Sequence, residues 1–216
     1  MQVIPAINCQ DFESAKEKLK ELKNFLPDGA WIQLDAADAV FTFHRTWANV
    51  EQFPLLSSEF PKWQWEIHLM VEHPEQVVEA WLAAGAKRLI VHVEVLTPET
   101  AASIIAAAKQ RGASVMLASN PETKPETFQP YFGMFSEFQV LAVTPGWAGQ
   151  QFLPVVLEKV RFLRQALPQA LIEVDGGINP GAAGMVKAAG ANIIVAASYL
   201  FEAVDKAVAF KELEAA

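Results

Sequence analysis

Residues 64–70 read Gln64-Trp65-Glu66-Ile67-His68-Leu69-Met70, and residues 171–176 read Leu171-Ile172-Glu173-Val174-Asp175-Gly176. Side chains alternate along a strand, so residues two apart share a face. Glu66 and His68 therefore look one way, with Trp65, Ile67 and Leu69 opposed; Glu173 and Asp175 oppose Ile172 and Val174. The split recurs in 31–37, where Gln33 and Asp35 oppose Ile32 and Leu34. It recurs again in 88–95, where His92 and Glu94 oppose Val91, Val93 and Val95. A central strand of an open sheet buries both faces under helices and gives no reason for this repetition. A closed barrel does, because its inward faces converge on a site at the C-terminal rim.

Outward from these segments, short β-branched runs alternate with helical patterns along the whole chain. Strands are expected at 2–8, 31–37, 64–70, 88–95, 114–119, 138–144, 171–176 and 192–198. Helical patterns fill 74–84, opened by a proline and closed by Gly85, and 99–111, with Thr97 as cap and Gly112 as stop. Another covers 179–189, where Asn179 precedes Pro180 and Gly190 ends the run. Eight such repeats fit either a closed barrel or a doubly wound sheet, and the inward faces favour the barrel. No linker or composition break marks a second domain. Residues 1–216 thus read as one α/β domain, a (β/α)8 TIM barrel.

With 52% apolar and 19% charged residues, the chain is neither disordered nor fibrous in type. A net charge of −8 offers no basic stripe for a nucleic acid, though backbone N–H groups can still hold a small anion. No apolar stretch reaches the roughly 18 residues of a membrane span, so no membrane partner is expected. The opening MQVIPAINCQDFESAKEK has no basic segment followed by an apolar one, so no secretory signal is expected. Cys9 stands alone, which rules out an internal disulfide and fits a cytoplasmic location. Homo-oligomerisation is left open.

Several motifs resemble those of the ribulose-phosphate 3-epimerase family. Glu66-Ile67-His68-Leu69-Met70-Val71 is similar to its D-V-H-L-M strand, and Val143-Thr144-Pro145-Gly146-Trp147-Ala148-Gly149-Gln150 to its V-N-P-G-F-G-G-Q loop. Ile172-Glu173-Val174-Asp175-Gly176-Gly177-Ile178 matches I-E-V-D-G-G-I. Weaker likenesses are Pro5-Ala6-Ile7 to P-S-I, Val91-His92-Val93-Glu94 to F-H-V-E, Ser119-Asn120-Pro121 to L-N-P, and Val195-Ala196-Ala197-Ser198 to V-A-G-S. All occur in the family's order and cover nearly the whole chain.

The departures fall on site positions. The family's H-x-D-x-M-D-G-x-F reads Gln33-Leu34-Asp35-Ala36-Ala37-Asp38-Ala39-Val40-Phe41, so a metal-binding histidine is Gln33 and a glycine is Ala39. The first-strand serine is Ala6, and two loop glycines are Ala148 and Ala197.

The resemblance implies proton transfer by Asp35 and Asp175 through an enediolate, interconverting D-ribulose 5-phosphate and D-xylulose 5-phosphate or a related ketose phosphate. Counted through the first and eighth strands, the two aspartates lie three steps apart and face each other across much of the barrel. The resemblance also implies a divalent metal, Zn, Fe or Mn, on Asp35, His68 and Asp175, with the Gln33 carbonyl as a weaker fourth ligand. A small phosphorylated sugar would meet Ala6 and His68, with its phosphate on N–H groups around Gly146, Trp147, Ala148, Gly149, Gly176, Gly177, Ala197 and Ser198. Gln33 keeps two alternatives open, a non-catalytic phosphosugar-binding barrel and a different phosphosugar enzyme. His92 and Glu94 are expected to pair at the rim, Cys9 to be a small buried hydrophobe, Trp147 to line the pocket mouth, and His44 and Arg45 to lie in an exposed loop.

Overall fold

A computed structural model describes residues 1–216. Eight parallel strands close in sequential order: β1 (Gln2–Ile7), β2 (Trp31–Ala37), β3 (Gln64–Met70), β4 (Arg88–His92), β5 (Ser114–Ser119), β6 (Glu137–Leu141), β7 (Leu171–Asp175) and β8 (Ile193–Ala196). The first four connections carry α1 (Phe12–Leu22), α2 (Phe53–Glu59), α3 (Val78–Ala83) and α4 (Pro98–Gln110). After β6 come α5 (Leu157–Ala166), α6 (Pro180–Ala189), α7 (Ser198–Phe201) and α8 (Lys206–Ala215). The β5–β6 crossover is a 3-10 helix at Pro125–Tyr131, where Pro125 and Pro130 withhold two N–H donors. No helix is long and apolar enough to cross a membrane.

Local signals act where the sequence places them. Thr97 accepts from Thr100 N–H to start α4, Asn179 accepts from Ala182 N–H to start α6, and Gly190 ends α6 in the left-handed conformation. Five expected strands end early, two of them by a single residue and three by more. The 88–95 strand stops at His92, and Val93–Val95 turn into a 3-10 helix. The strand expected at 138–144 ends at Leu141, and that expected at 192–198 ends at Ala196, because Ser198 already opens α7. The pattern at 74–84 divides into a 3-10 turn, Pro74–Gln76, and α3.

The main apolar core lies between strands and helices, whereas the barrel interior holds only two small apolar clusters, around Ile4–Ala6–Ile193–Val195 and Ile90–Met116–Ala118. The rest of the interior is polar. Arg88 donates to Glu66 Oε2 at 2.6 Å, its Nε lies 2.6 Å from Glu137 Oε2, and Glu173 Oε2 stands 3.8 Å away. One cation thus serves three carboxylates, and burial pushes Glu66 up to about 7 and Glu173 well above the carboxylate range.

Candidate active site

Strand register builds the site one layer above this floor. Asp35 pairs in register with His68, while Gln33 pairs with Glu66 and Gln139 with Glu173. At the rim, one ligand atom each from Asp35, His68 and Asp175 lies within 4.8 Å of the others. The two aspartates therefore converge more closely than three strand steps suggested, because the barrel is narrow there and both side chains point to its axis.

Gln33 holds them together. Its Nε2 donates to Asp35 Oδ1 and to Asp175 Oδ2, at 2.8 Å each, and its Oε1 accepts from Gln139 Nε2 at 3.1 Å. Carboxylates only accept, which fixes this orientation of the amide. In this arrangement the N–H2 end of Gln33, rather than the carbonyl expected to meet a metal, faces the two carboxylates. His68 Nδ1 lies 3.4 Å from Asp175 Oδ2 and 3.7 Å from Asp35 Oδ1, fully buried and without a hydrogen-bond partner. Burial works against its charge, yet the two aspartates raise His68 to about 9. Burial also pushes Asp175 above its ordinary value, against the pull of His68 and Gln33. An unpaired, buried nitrogen aimed between two carboxylates fits a divalent cation on Asp35, His68 and Asp175, three O/N ligands of the type such ions take.

Behind His68, His92 Nε2 approaches His68 Nε2 at 2.8 Å, and His92 Nδ1 meets Glu94 Oε2 at 3.1 Å. The expected His92–Glu94 pair is present, reached through the 3-10 turn rather than along a continuous strand. Asn8 belongs to no motif in the sequence. Its Nδ2 donates to Asp35 Oδ2 at 2.9 Å and to Gly146 O at 3.1 Å. The available signal was its place two residues beyond Ala6, on the same inward face.

Ala6, Asp35, His68, Gly146, Trp147, Ala148, Gly149, Asp175, Gly176, Gly177, Ala197 and Ser198 all line one pocket. Backbone N–H groups of Gly176, Gly177, Ala197 and Ser198 donate to no protein acceptor in the loops or caps. Gly177 has φ +65°, and a Cβ there would stand 2.3 Å from Phe152 N, so only glycine fits. Ala148 and Ala197 need no such freedom, because Ala39 is the only non-glycine residue at positive φ (65°).

Trp147 lines the pocket mouth and is backed by His44. Their rings stack at 4.0 Å and 13°, and neither His44 ring nitrogen has a partner. His44 is thus half-buried under Trp147, correcting the expectation of a plainly exposed loop residue, while Trp147 lines the mouth and remains 61% exposed. The space within this pocket is about 40 Å³, room for a water molecule and not for a sugar phosphate. Cys9 is buried.

The fold and rim place this chain among TIM barrels, which carry their chemistry at the C-terminal ends of their strands. The model of the Ribulose-phosphate 3 epimerase family matches residues 2–201, and the chain belongs to that family. It is 39% identical over 143 residues to a Chlamydia muridarum protein named ribulose-phosphate 3-epimerase, a match spanning 63% of this chain and 62% of that protein. A Schizosaccharomyces pombe protein of the same name is 30% identical over 204 residues, 94% of this chain and 87% of its own length. Among solved structures, a 3-hexulose-6-phosphate synthase superposes with a TM-score of 0.76 at 20% identity, covering 100% of this chain and 99% of that one.

Proposed function

We propose that this protein is a carbohydrate epimerase that interconverts D-ribulose 5-phosphate and D-xylulose 5-phosphate. The observation that carries this reading is the convergence of Asp35 and Asp175, from opposite sides of the barrel seam, on one buried point beside His68. Epimerisation next to a ketone removes a carbon-bound proton on one face and returns one to the other, so it needs two acid/base groups. Asp175 and Asp35 take these roles. Burial raises the carboxyl of Asp175 above its ordinary value, which strengthens it as an acceptor of the carbon-bound proton. Asn8 orients Asp35, and Gln33 keeps the two carboxylates at fixed separation.

A divalent ion, Zn, Fe or Mn, would be held by Asp35, His68 and Asp175, and when bound would stabilise the negative charge of the enediolate oxygen. The phosphate would lie on the N–H groups of Gly177, Ala197 and Ser198, which have no acceptor of their own. Residues 144–150 would swing away to admit the sugar and return to exclude water. The same proposal makes residues 1–216 one ribulose-phosphate-binding barrel in the cytoplasm.

A second reading, a barrel that binds phosphosugars without turnover, is favoured by Gln33, whose two N–H groups already satisfy both carboxylates. A coupled assay with D-ribulose 5-phosphate, with and without added Mn²⁺, Zn²⁺ or Fe²⁺, separates the two. Turnover supports the epimerase; saturable binding with no turnover under any metal supports the binding barrel.

A further inference from the structure

We propose that Glu94, acting through His92, keeps the Nε2 proton on His68, so that Nδ1 is the only nitrogen of His68 able to exchange a cation with Asp35 and Asp175. The order of protons follows from counting donors and acceptors along the chain. Glu94 Oε1 accepts from Asn120 N–H at 2.8 Å and from the Thr123 hydroxyl. Its other oxygen, Oε2, faces His92 Nδ1. A carboxylate only accepts, so His92 carries its proton on Nδ1. His92 is completely buried and faces a single carboxylate that already accepts from two other donors, whereas His68 faces two carboxylates, so the positive charge belongs on His68 and His92 Nε2 is left bare.

That bare nitrogen lies 2.8 Å from His68 Nε2, with the two rings 8° from parallel. One proton fits between the two atoms, and it belongs to His68. The remaining nitrogen, His68 Nδ1, points at the carboxylate pair with no other partner. Whether His68 binds a proton there or a metal, the Nε2 end stays the same. Glu94 and His92 are positioning residues, neither of them among the residues that line the pocket. Their consequence for a metal rests on the cation site proposed above; the proton order itself does not.

Glu94→Gln inverts the chain in a defined direction. The Gln carbonyl must take the place of Oε1, where two donors meet it, which turns the amide N–H2 toward His92 Nδ1. His92 then moves its proton to Nε2, and His68 has to give up its own Nε2 proton.

The test is two-bond ¹H–¹⁵N correlation spectroscopy on ¹⁵N-histidine-labelled protein, where only four histidines contribute. Wild type should show His92 protonated on Nδ1 and His68 on Nε2, both metal-free and zinc-loaded. Glu94→Gln should show His92 protonated on Nε2, and zinc affinity should fall about 10- to 100-fold, the range for losing a partner behind a metal ligand. His92 protonated on Nε2 in wild type overturns the proposal, and so does a Glu94→Gln protein with unchanged tautomers or unchanged zinc affinity. If Glu94→Gln does not fold, the wild-type spectrum decides alone. No substrate is present in these spectra, so an inactive enzyme with the expected tautomers would sink the epimerase reading and leave this one standing.

Discussion

His44 and Trp147 stack face to face at 4.0 Å, joining the loop after β2 to the loop after β6, and Trp147 lines the pocket that holds the carboxylates. This contact and the Asn8–Gly146 hydrogen bond hold the loop after β6 against the pocket, and moving that loop away sacrifices both.

Trp147→Ala should therefore loosen the cover without touching the barrel. An aromatic pair contributes about 0.5–1.5 kcal/mol beyond its buried area, so amide hydrogen exchange across residues 144–150 should speed up about 2- to 10-fold. Exchange in β2, β3 and β7 should not change. Equal acceleration in loop and strands would mean that the stack supports the whole fold rather than the cover.

Removing either acid/base group should be costly to turnover. Asp175→Asn and Asp35→Asn keep shape but cannot take a proton, and each should lower kcat by about 10³-fold in the coupled assay. Wild-type turnover in both variants would end the two-base mechanism.

Replacing Gln33 exchanges an N–H donor for a ligand. Gln33→His should raise zinc affinity about 10- to 100-fold, read by competition with a chromogenic chelator. It should also remove the 2.8 Å contacts that now hold Asp35 and Asp175 together in the metal-free protein. No gain in affinity would show that a fourth ligand cannot reach the ion from this position.

Ala39 sits at φ 65°, a conformation disfavoured by about 1–2 kcal/mol for residues with a Cβ. Ala39→Gly should raise stability by about 0.5–1 kcal/mol once the added freedom of the unfolded chain is counted. Urea denaturation should show a higher midpoint at unchanged slope. A lower midpoint would mean that neighbouring contacts, such as Asp38 Oδ1 accepting from Val40 and Phe41 N–H, already relieve the turn.

Acid should expose the contribution of Glu94. Burial pushes its carboxyl up, but His92, Thr123 and the Asn120 N–H outweigh burial and bring it down to about 2 from 4.5. A depressed folded value means that the unfolded chain takes the proton first as pH falls. The stabilisation, about 3 kcal/mol, is present above pH 4.5 and disappears toward pH 2. The stability gap between wild type and Glu94→Gln should shrink over that window; a constant gap would assign it to packing instead.

The barrel was legible because period-two alternation exposes an inward face within a single strand: Gln33 with Asp35, Glu66 with His68, Glu173 with Asp175. What alternation cannot supply is the stagger between strands. Arg88 shares the inward parity of His92, but nothing in 88–95 tells that it meets Glu66, Glu137 and Glu173 from three other strands. The direction of the Gln33 amide was hidden for a related reason. Its orientation is set by Gln139, 106 positions away, and by Asp175, 142 positions away. Lys159 is a lysine on a helix, ordinarily solvated, yet it is buried and donates to Ser119 Oγ at 2.9 Å, tying α5 to the end of β5. Loop packing such as His44 under Trp147 has no periodic signature at all.

Several of the polar links inside the barrel run between its two halves. Asn8 reaches Gly146, Gln33 reaches Asp175, and Gln139 reaches Gln33, so each half-barrel made alone would bury donors or acceptors whose counterparts lie on the other piece. The interior thus works as a matching code between the first four strands and the last four. Fragments divided in the loop after β4 or β5 would each be incomplete in water and complementary to one another. The groups that would meet the sugar are among those that would tell the two fragments they had found the right partner.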